Sequence, residues 1–266
     1  MSLIDRLSVL IVYRAFTLVS TQTLLIIEIR HNRCACKSPF EMVHSIPNIV
    51  VFGESGGGKS SVINMLNGNP LLPVNDGAEG VVFNHATCEK TISGQTYRVF
   101  ETVSINKLGR GWLGRNDTRA AKEQLIKIIK GLDTGLNLLV YVMRAGEIMK
   151  TAADNYRLFH DVVCEGRVPI VVVITKLELR VDEPGGMDHW WIENKPAFDK
   201  LHLTFEGHAC ITATRGKLRG GKYTEQDLYE LSKEKVERLI SNSCGEAWTM
   251  KSKKPTAILE SLRRIW

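Results

Sequence analysis

Apolar runs alternate with amphipathic segments from residue 46 to residue 240, and this alternation predicts the secondary structure of the chain. Apolar runs rich in β-branched residues have the length of strands at 46–52, 136–143, 168–175 and 209–214. Apolar residues recur at helical spacing at 60–66, 119–130, 152–165 and 224–240. A tight Ser-Gly-Gln turn joins two further strand-like segments, 81–92 and 96–101, so we expect those two to pair antiparallel.

This order of elements predicts an α/β fold with helices on both faces of a mostly parallel sheet. The hairpin adds one antiparallel edge strand, which makes the sheet mixed. No element is predicted for residues 67–80 and 102–118. Both stretches are longer than ordinary connections, which is typical of functional or mobile loops.

The pattern divides the chain into a hydrophobic N-terminal extension (1–45), the α/β domain (46–240) and a C-terminal tail (241–266). Residues 7–29 are long enough to span a bilayer, but charged and polar residues interrupt the run, and charge is costly inside a membrane. We expect a helix docked on the domain or a poorly ordered extension, with a membrane anchor as the alternative.

The end of the tail is basic and amphipathic. Its cations are Lys251, Lys253, Lys254, Arg263 and Arg264. If the segment is helical, Ile258, Leu262 and Ile265 share one face. This pattern is typical of peripheral contact with an anionic membrane, and equally of packing against the domain or another chain.

Composition limits the classes of function. The 266 residues carry a formal charge of +6, which is no nucleic-acid signature, so we predict no nucleic-acid partner. The six cysteines are scattered without a disulfide framework, as in proteins of the reducing cytosol. His31, Cys34 and Cys36 lie close together, but no fourth metal ligand is evident. We predict free thiols and a cytoplasmic protein, with membrane association as the alternative.

A glycine-rich loop follows the first predicted strand. Residues 53–60 read GESGGGKS and fit the pattern G-x-x-x-x-G-K-[ST] between a strand and a helix. Backbone N–H groups of such a loop wrap a phosphate chain, and the following helix adds the positive end of its dipole. The predicted contacts are Gly53, Glu54, Ser55, Gly56, Gly57, Gly58, Lys59, Ser60 and Ser61. Lys59 is expected to reach the β- and γ-phosphates, and the Ser60 hydroxyl to bind Mg²⁺.

Two later segments are candidates for base recognition. The strand at 168–175 ends in TKLE, where the Glu178 carboxylate could accept both N1–H and N2–H of guanine. The aliphatic stem of Lys176 could cover the base, beside Thr175. The next strand ends in TATRGK, and its loop at Thr214 and Arg215 could present a backbone N–H to the guanine O6. The alternatives are a solvated loop and an ATP-binding protein in which Glu178 has no role.

The order of these three segments resembles the septin-like branch of the P-loop GTPases. That branch includes septins, chloroplast-import receptor GTPases and immune-associated nucleotide-binding proteins. The chain looks most like the single-domain "G domain-containing" proteins of mushroom-forming fungi. The segments NYRLFHDVVCEGRVPIVVVITKLE and GHACITATRGK carry this likeness, which covers about residues 46–240. The resemblance implies a G domain that binds GTP or GDP with Mg²⁺.

The chain departs from the family pattern where the γ-phosphate would be sensed. The family's D-x-x-G element is replaced by ETVS, so Glu101 stands for the aspartate and Ser104 for the glycine. Ile105 follows, where small Ras-like GTPases place a glutamine that orients water. Val82 takes the place of the Mg²⁺-binding threonine, and the next candidate, Thr87, is expected inside a strand.

The sequence therefore predicts a Mg²⁺-dependent GTP-binding protein whose hydrolysis is slow or vestigial, with Lys59 and Glu101 as the candidate catalytic residues. Arg110 or Arg115 of the second loop could act on the transferring phosphate, although a solvated loop explains them as well. The alternative is an assembly or regulatory module in which the nucleotide controls a homodimer formed through the nucleotide face.

Overall fold

The computed structural model describes residues 45–68, 87–102, 126, 128–148, 150–180 and 186–250. All of them belong to one unit of the chain, His44–Trp266, and residues 1–43 form a second unit. The metal candidates His31, Cys34 and Cys36, the apolar run 7–29 and the tail segment 251–266 lie outside the described residues. Within those residues, none of the helices has the length and apolarity needed to cross a membrane.

The centre of the domain is a six-stranded sheet with the order β2-β3-β1-β4-β5-β6. Its strands are β1 (Asn48–Gly53), β2 (Thr87–Ile92), β3 (Gln95–Glu101), β4 (Leu138–Arg144), β5 (Ile170–Thr175) and β6 (Gly207–Cys210). All neighbours pair in parallel except β2 and β3, which form the antiparallel hairpin at one edge. The predicted mixed sheet with one antiparallel edge strand is confirmed.

Helices flank the sheet on both faces. They are α1 (Lys59–Asn67), α2 (Lys150–Tyr156, continued by a π-helix over Arg157–Val163), α3 (Gly186–Lys200) and α4 (Gln226–Ser243). Of the helix predicted at 119–130, the described residues 126 and 128–130 are helical. A short hairpin, β7 (Leu218–Arg219) and β8 (Lys222–Tyr223), precedes α4.

Two parts of this arrangement differ from the sequence prediction. The helix α3 was not predicted, and Pro196, a residue that disfavours a helix interior, lies inside it. The last strand was predicted at 209–214 but ends at Cys210, whose partner is Ile174. Beyond that pair, Ile211 N–H still donates to the Ile174 carbonyl at 2.8 Å, and the Ile211 carbonyl accepts from Leu177 N–H at 3.4 Å. Residues 212–214 form a loop.

Apolar side chains fill both faces of the sheet. One layer packs Ile49 and Val51 against α1 and α4, and the other packs Val50 and Phe52 against α2 and α3. In the second layer the Phe52 ring stacks on Phe159 at 3.9 Å between centroids and on Tyr141 at 4.8 Å. Fully burying a phenylalanine contributes about 1.5–3 kcal/mol, so this stack fixes the end of β1 firmly.

Polar side chains hold the opposite end of β1. The Asn137 side-chain oxygen accepts from Asn48 N–H at 2.9 Å, and the Asn137 amide donates to the Gly245 carbonyl at 3.1 Å. Leu136 and Trp248 exchange backbone hydrogen bonds of 2.8 and 2.9 Å. The segment after α4 is therefore anchored beside the start of β4.

Gly53, the last residue of β1, has no room for a side chain. Its φ is +145°, and a Cβ there would lie 2.0 Å from the backbone carbonyl oxygen of Val142 in β4. Because backbone of a central strand cannot move aside cheaply, only glycine lets β1 turn into the next loop at this point.

We expect Gly53→Ala to destabilise the domain by about 3 kcal/mol, the upper range of overpacking costs, because the methyl group would displace β4 backbone. Urea unfolding followed by circular dichroism measures this. Gly56→Ala is the matched control: its φ is also positive, at +71°, but a Cβ there would meet no atom within 4 Å. Equal losses of stability in the two variants would contradict the steric explanation.

Candidate functional site

The parallel strands bring the predicted site residues to one edge of the sheet. The glycine loop follows β1, Glu101 ends β3, Thr175 ends β5, and Thr214 lies in the loop after β6. In open α/β sheets, ligands bind in the crevice outside the carboxyl ends of the strands. The fold thus gathers segments that are far apart in sequence.

The loop between β1 and α1 curls tightly over the end of the sheet. Gly57 N–H donates to the Glu54 carbonyl at 3.1 Å, and Gly58 caps α1 in a left-handed conformation with a φ of 95°. A Cβ on Gly57 would lie 3.0 Å from the Val142 carbonyl oxygen. The loop therefore presents backbone rather than side chains to its concave side, as an anion cradle requires.

Lys59 folds back over this loop. The residue is 5% exposed, and its Nζ donates to the carbonyl oxygens of Gly53 at 3.1 Å and Glu54 at 2.9 Å. Burial lowers the pKa of Lys59 to about 8, while the nearby Glu101 and Glu54 carboxylates act in the opposite direction. The amino group is thus held at the loop centre and titrates near physiological pH.

Ser60 and Glu101 form the second contact of the site. The Ser60 hydroxyl donates to the Glu101 carboxylate at 2.8 Å. Burial raises the pKa of Glu101, and the bond from Ser60 and the charge of Lys59 partly offset this rise. The longer glutamate side chain therefore reaches the serine that follows the loop lysine, and it places two hard oxygen atoms side by side.

Thr175 contacts the loop from the neighbouring strand end. Its side chain is buried, and its hydroxyl donates to the Gly57 carbonyl at 2.7 Å. A Cβ on Gly58 would lie 3.2 Å from the Thr175 side chain. Thr175 therefore fixes the shape of the loop, and its predicted direct contact with a nucleotide stays a prediction.

The two residues predicted to recognise a base lie just beyond Thr175. Lys176 is exposed and has a φ of 65°, a left-handed conformation that L-residues other than Asn and Asp seldom adopt. Leu177 is buried beneath it. Glu178 begins a short 3₁₀ turn and accepts a hydrogen bond from the Thr212 hydroxyl at 3.3 Å.

Thr212 and Thr151 are contacts that the sequence prediction missed. Thr212 is fully buried and orients Glu178, while its own N–H donates to the Ser232 hydroxyl at 3.1 Å. At the other end of the site, the Thr151 hydroxyl donates to the Glu54 carboxylate at 2.9 Å. The TATRGK segment could have pointed to Thr212, whereas no local pattern marks Thr151.

The remaining predicted residues are placed differently. Thr214 is exposed, and its hydroxyl accepts from Gly216 N–H at 3.1 Å. The Arg215 guanidinium lies 4.9 Å from the ring centroid of Tyr229 in α4, so its side chain packs on the helix. Ser55 is exposed and Ser61 is half-buried. Thr87 is the first residue of β2, as expected.

Five residues that the sequence analysis named around the γ-phosphate lie outside the described residues. They are Val82, Ser104, Ile105, Arg110 and Arg115. The site that the structure describes therefore consists of the loop, Glu101 and the ends of β5 and β6.

Comparison with known proteins found no matching family model and no matching curated protein. Solved structures do match. Era from Aquifex aeolicus, a point variant bound to GDP and AlF₄⁻, is 17% identical with a TM-score of 0.51, over 82% of this chain and 64% of that one. Era with MgGDPNP and ribosomal RNA has a TM-score of 0.52 at 17% identity, over 78% of this chain and 59% of that one.

A structure of the chloroplast translocon components atToc33 and psToc159 matches with a TM-score of 0.51 at 14% identity. That alignment covers 74% of this chain and 84% of the other. This chain spans less than two thirds of the length of the Era chains. At these identities the comparisons show the architecture alone, and the closer likeness to the fungal single-domain proteins stays a prediction. The chain has the fold of the P-loop GTPases.

Proposed function

We propose that this chain is a guanine-nucleotide-binding domain that binds GTP with Mg²⁺ and hydrolyses it slowly. The observation that carries the proposal is the assembly at one sheet edge of a phosphate-loop backbone, a buried lysine and a serine–carboxylate pair. The Ser60 hydroxyl lies 2.8 Å from the Glu101 carboxylate, so the two side chains that would hold Mg²⁺ are in contact.

The residues present fit a phosphate chain and a magnesium ion. Gly53 and Gly57 keep side chains off the loop, where a Cβ would meet the Val142 carbonyl. Lys59 supplies a cation beside the loop carbonyls. Ser60 and Glu101 supply oxygen atoms of the kind that Mg²⁺ prefers. When bound, Mg²⁺ neutralises charge on the phosphate oxygens.

The environment of Glu178 supports guanine as the base. The Thr212 hydroxyl holds one carboxylate oxygen at 3.3 Å, which fixes the orientation of the group. A carboxylate so placed accepts the two N–H groups on the guanine edge. Adenine presents a ring acceptor there instead, so an ATP-binding site would gain nothing from Glu178.

Slow hydrolysis is proposed from the residues around the γ-phosphate. Lys59 can stabilise charge on the phosphates, but no described residue is placed to act as a base on water. Fast turnover needs such positioning, which other GTPases take from a glutamine or from a partner's arginine. A homodimer through the nucleotide face stays a prediction. It is worth testing because dimerization is important for the GTPase activity of atToc33 and psToc159.

The other partners and the location also stay predictions. The expectation of no nucleic-acid partner has no support from the comparisons, since Era was solved with ribosomal RNA. Cytoplasmic location and membrane contact through the tail follow from the sequence alone.

Base selection is the first test. We expect Glu178→Ala to lower GTP affinity at least tenfold and leave ATP affinity unchanged, because charge-assisted hydrogen bonds contribute roughly 1.5–3 kcal/mol each. Thr212→Val, which keeps the side-chain shape but removes the hydroxyl, should lower GTP affinity about threefold to tenfold. Titration with fluorescent nucleotides measures both, and Glu246→Ala, an exposed acid elsewhere, is the control. Wild-type protein that binds ATP as well as GTP would overturn the guanine assignment.

The pH dependence of GDP binding tests Lys59. Phosphate binds the protonated amine, and in the free protein that form is lost as pH rises through about 8. Affinity should therefore be full near pH 7 and fall by up to about tenfold per pH unit above 8, because binding then requires uptake of a proton. Lys59→Ala should bind weakly at every pH, whereas Lys59→Arg keeps its charge and should lose the dependence. Wild-type affinity in Lys59→Ala would refute the phosphate-loop proposal.

Turnover is measured by single-turnover phosphate release from GTP. We expect a rate on the order of 10⁻⁴ to 10⁻³ s⁻¹, that of GTPases without a partner. Glu101→Gln keeps the side-chain length but removes the charge, so it should weaken the Mg²⁺-dependent part of GTP affinity. A rate that rises with protein concentration would show catalysis supplied by a dimer. A concentration-independent rate near 1 s⁻¹ contradicts the proposal of slow hydrolysis.

A further inference from the structure

A groove of about 520 Å³ shares none of its lining residues with the proposed nucleotide site. It is lined by Asn48 of β1, by Arg98 and Phe100 of β3, and by residues 128 and 131–134. Phe100, Ile128 and Leu132 make its wall apolar, while Arg98 and Asp133 add one charge of each sign. A groove of this composition fits an amphipathic segment better than a small polar ligand.

Asn48 gives the groove an unused hydrogen-bond acceptor. The residue is 1% exposed, and its amide nitrogen donates to the Thr134 hydroxyl at 2.8 Å and the Gly135 carbonyl at 2.6 Å. These two bonds fix the amide orientation, because the flipped amide would set oxygen against the Gly135 oxygen. The Asn48 Oδ1 has no hydrogen-bond partner in the described part of the chain. A buried acceptor left in this state is costly.

The described chain ends beside this groove. Trp248 pairs with Leu136 through two backbone hydrogen bonds, and Met250 packs against the core cluster that contains Leu132. Leu136 precedes β4, which is two strands away from β3 in the sheet. Two strand spacings are about 10 Å, and four extended residues span about 13 Å. Residues 251–254 can therefore carry the chain from Met250 to the groove.

We propose that residues 251–266 of the same chain dock in this groove as an amphipathic helix. Pro255 suits the first turn of such a helix. Ile258, Leu262 and Ile265 would face Phe100, Ile128 and Leu132. In this arrangement the lysines at 251, 253 and 254 would pass near Asp133, which lines the groove. Two features favour this occupant over a second chain. The described chain ends beside the groove, and the apolar face of the tail segment matches the apolar wall of the groove.

The proposal does not depend on which nucleotide the site binds.

Hydrogen exchange of the full chain, followed by mass spectrometry, tests the docking from both sides. Leu262→Asp should speed the exchange of amides 128–134 on the order of tenfold, because the leucine's burial is lost. Arg263→Asp puts the same residue on the other face of the helix and should leave this exchange unchanged. Conversely, Ile128→Asp should speed exchange in 257–266. Its control is Ile192→Asp, since Ile192 is 69% exposed on α3.

Each other occupant gives a different result that would overturn the proposal. Faster exchange in residues 1–44 rather than in 257–266 on Ile128→Asp would assign the groove to the N-terminal extension. Effects that vanish on dilution would assign it to a second chain. An unchanged exchange rate of amides 128–134 in Leu262→Asp would show that the tail does not dock there. Because this variant leaves the groove intact, it tests the proposal even if Ile128→Asp fails to fold.

Discussion

The geometry of the site depends on the close approach of β1 and β4 at the carboxyl end of the sheet. The distance of 2.0 Å between a hypothetical Cβ on Gly53 and the Val142 oxygen means that the chain can leave β1 there only as glycine. The aromatic stack of Phe52 with Phe159 and Tyr141 fixes the residue just before this point. The loop thus starts from a rigid position, and the Thr175–Gly57 bond fixes its far side.

Burial of Lys59 is the main electrostatic cost of this arrangement. Removing an ammonium from water lowers its pKa, and the two loop carbonyls with the flanking carboxylates offset only part of the loss. Glu101 meets the opposite cost, since burial raises its pKa. A buried cation, a half-buried carboxylate and the hydroxyl between them therefore stabilise one another only partly. A polyanion with a divalent cation would complete their charge balance.

The sequence predicts what local pattern controls. The apolar runs determine β1, β4 and β5, and the glycine spacing marks the loop, although the atoms that exclude a side chain at Gly53 and Gly58 belong to the distant Val142 and Thr175. The missed features depend on contacts far along the chain: Thr151 meets Glu54 and Thr212 meets Glu178 only after the sheet has formed. The helix α3 escaped prediction for a different reason, because Pro196 is a strong local signal against a helix that tertiary packing of Trp190 and Phe198 overcomes.

The register of β1 against β4 has a consequence for biosynthesis. Gly53 pairs with Val142, and Ile49 pairs with Leu138, so strands far apart in the chain must meet before the loop has a wall to rest on. Contacts between residues so distant in sequence form slowly, because the intervening chain must be closed into a loop first. On the ribosome, the N-terminal half of the domain therefore emerges with its glycine loop unsupported.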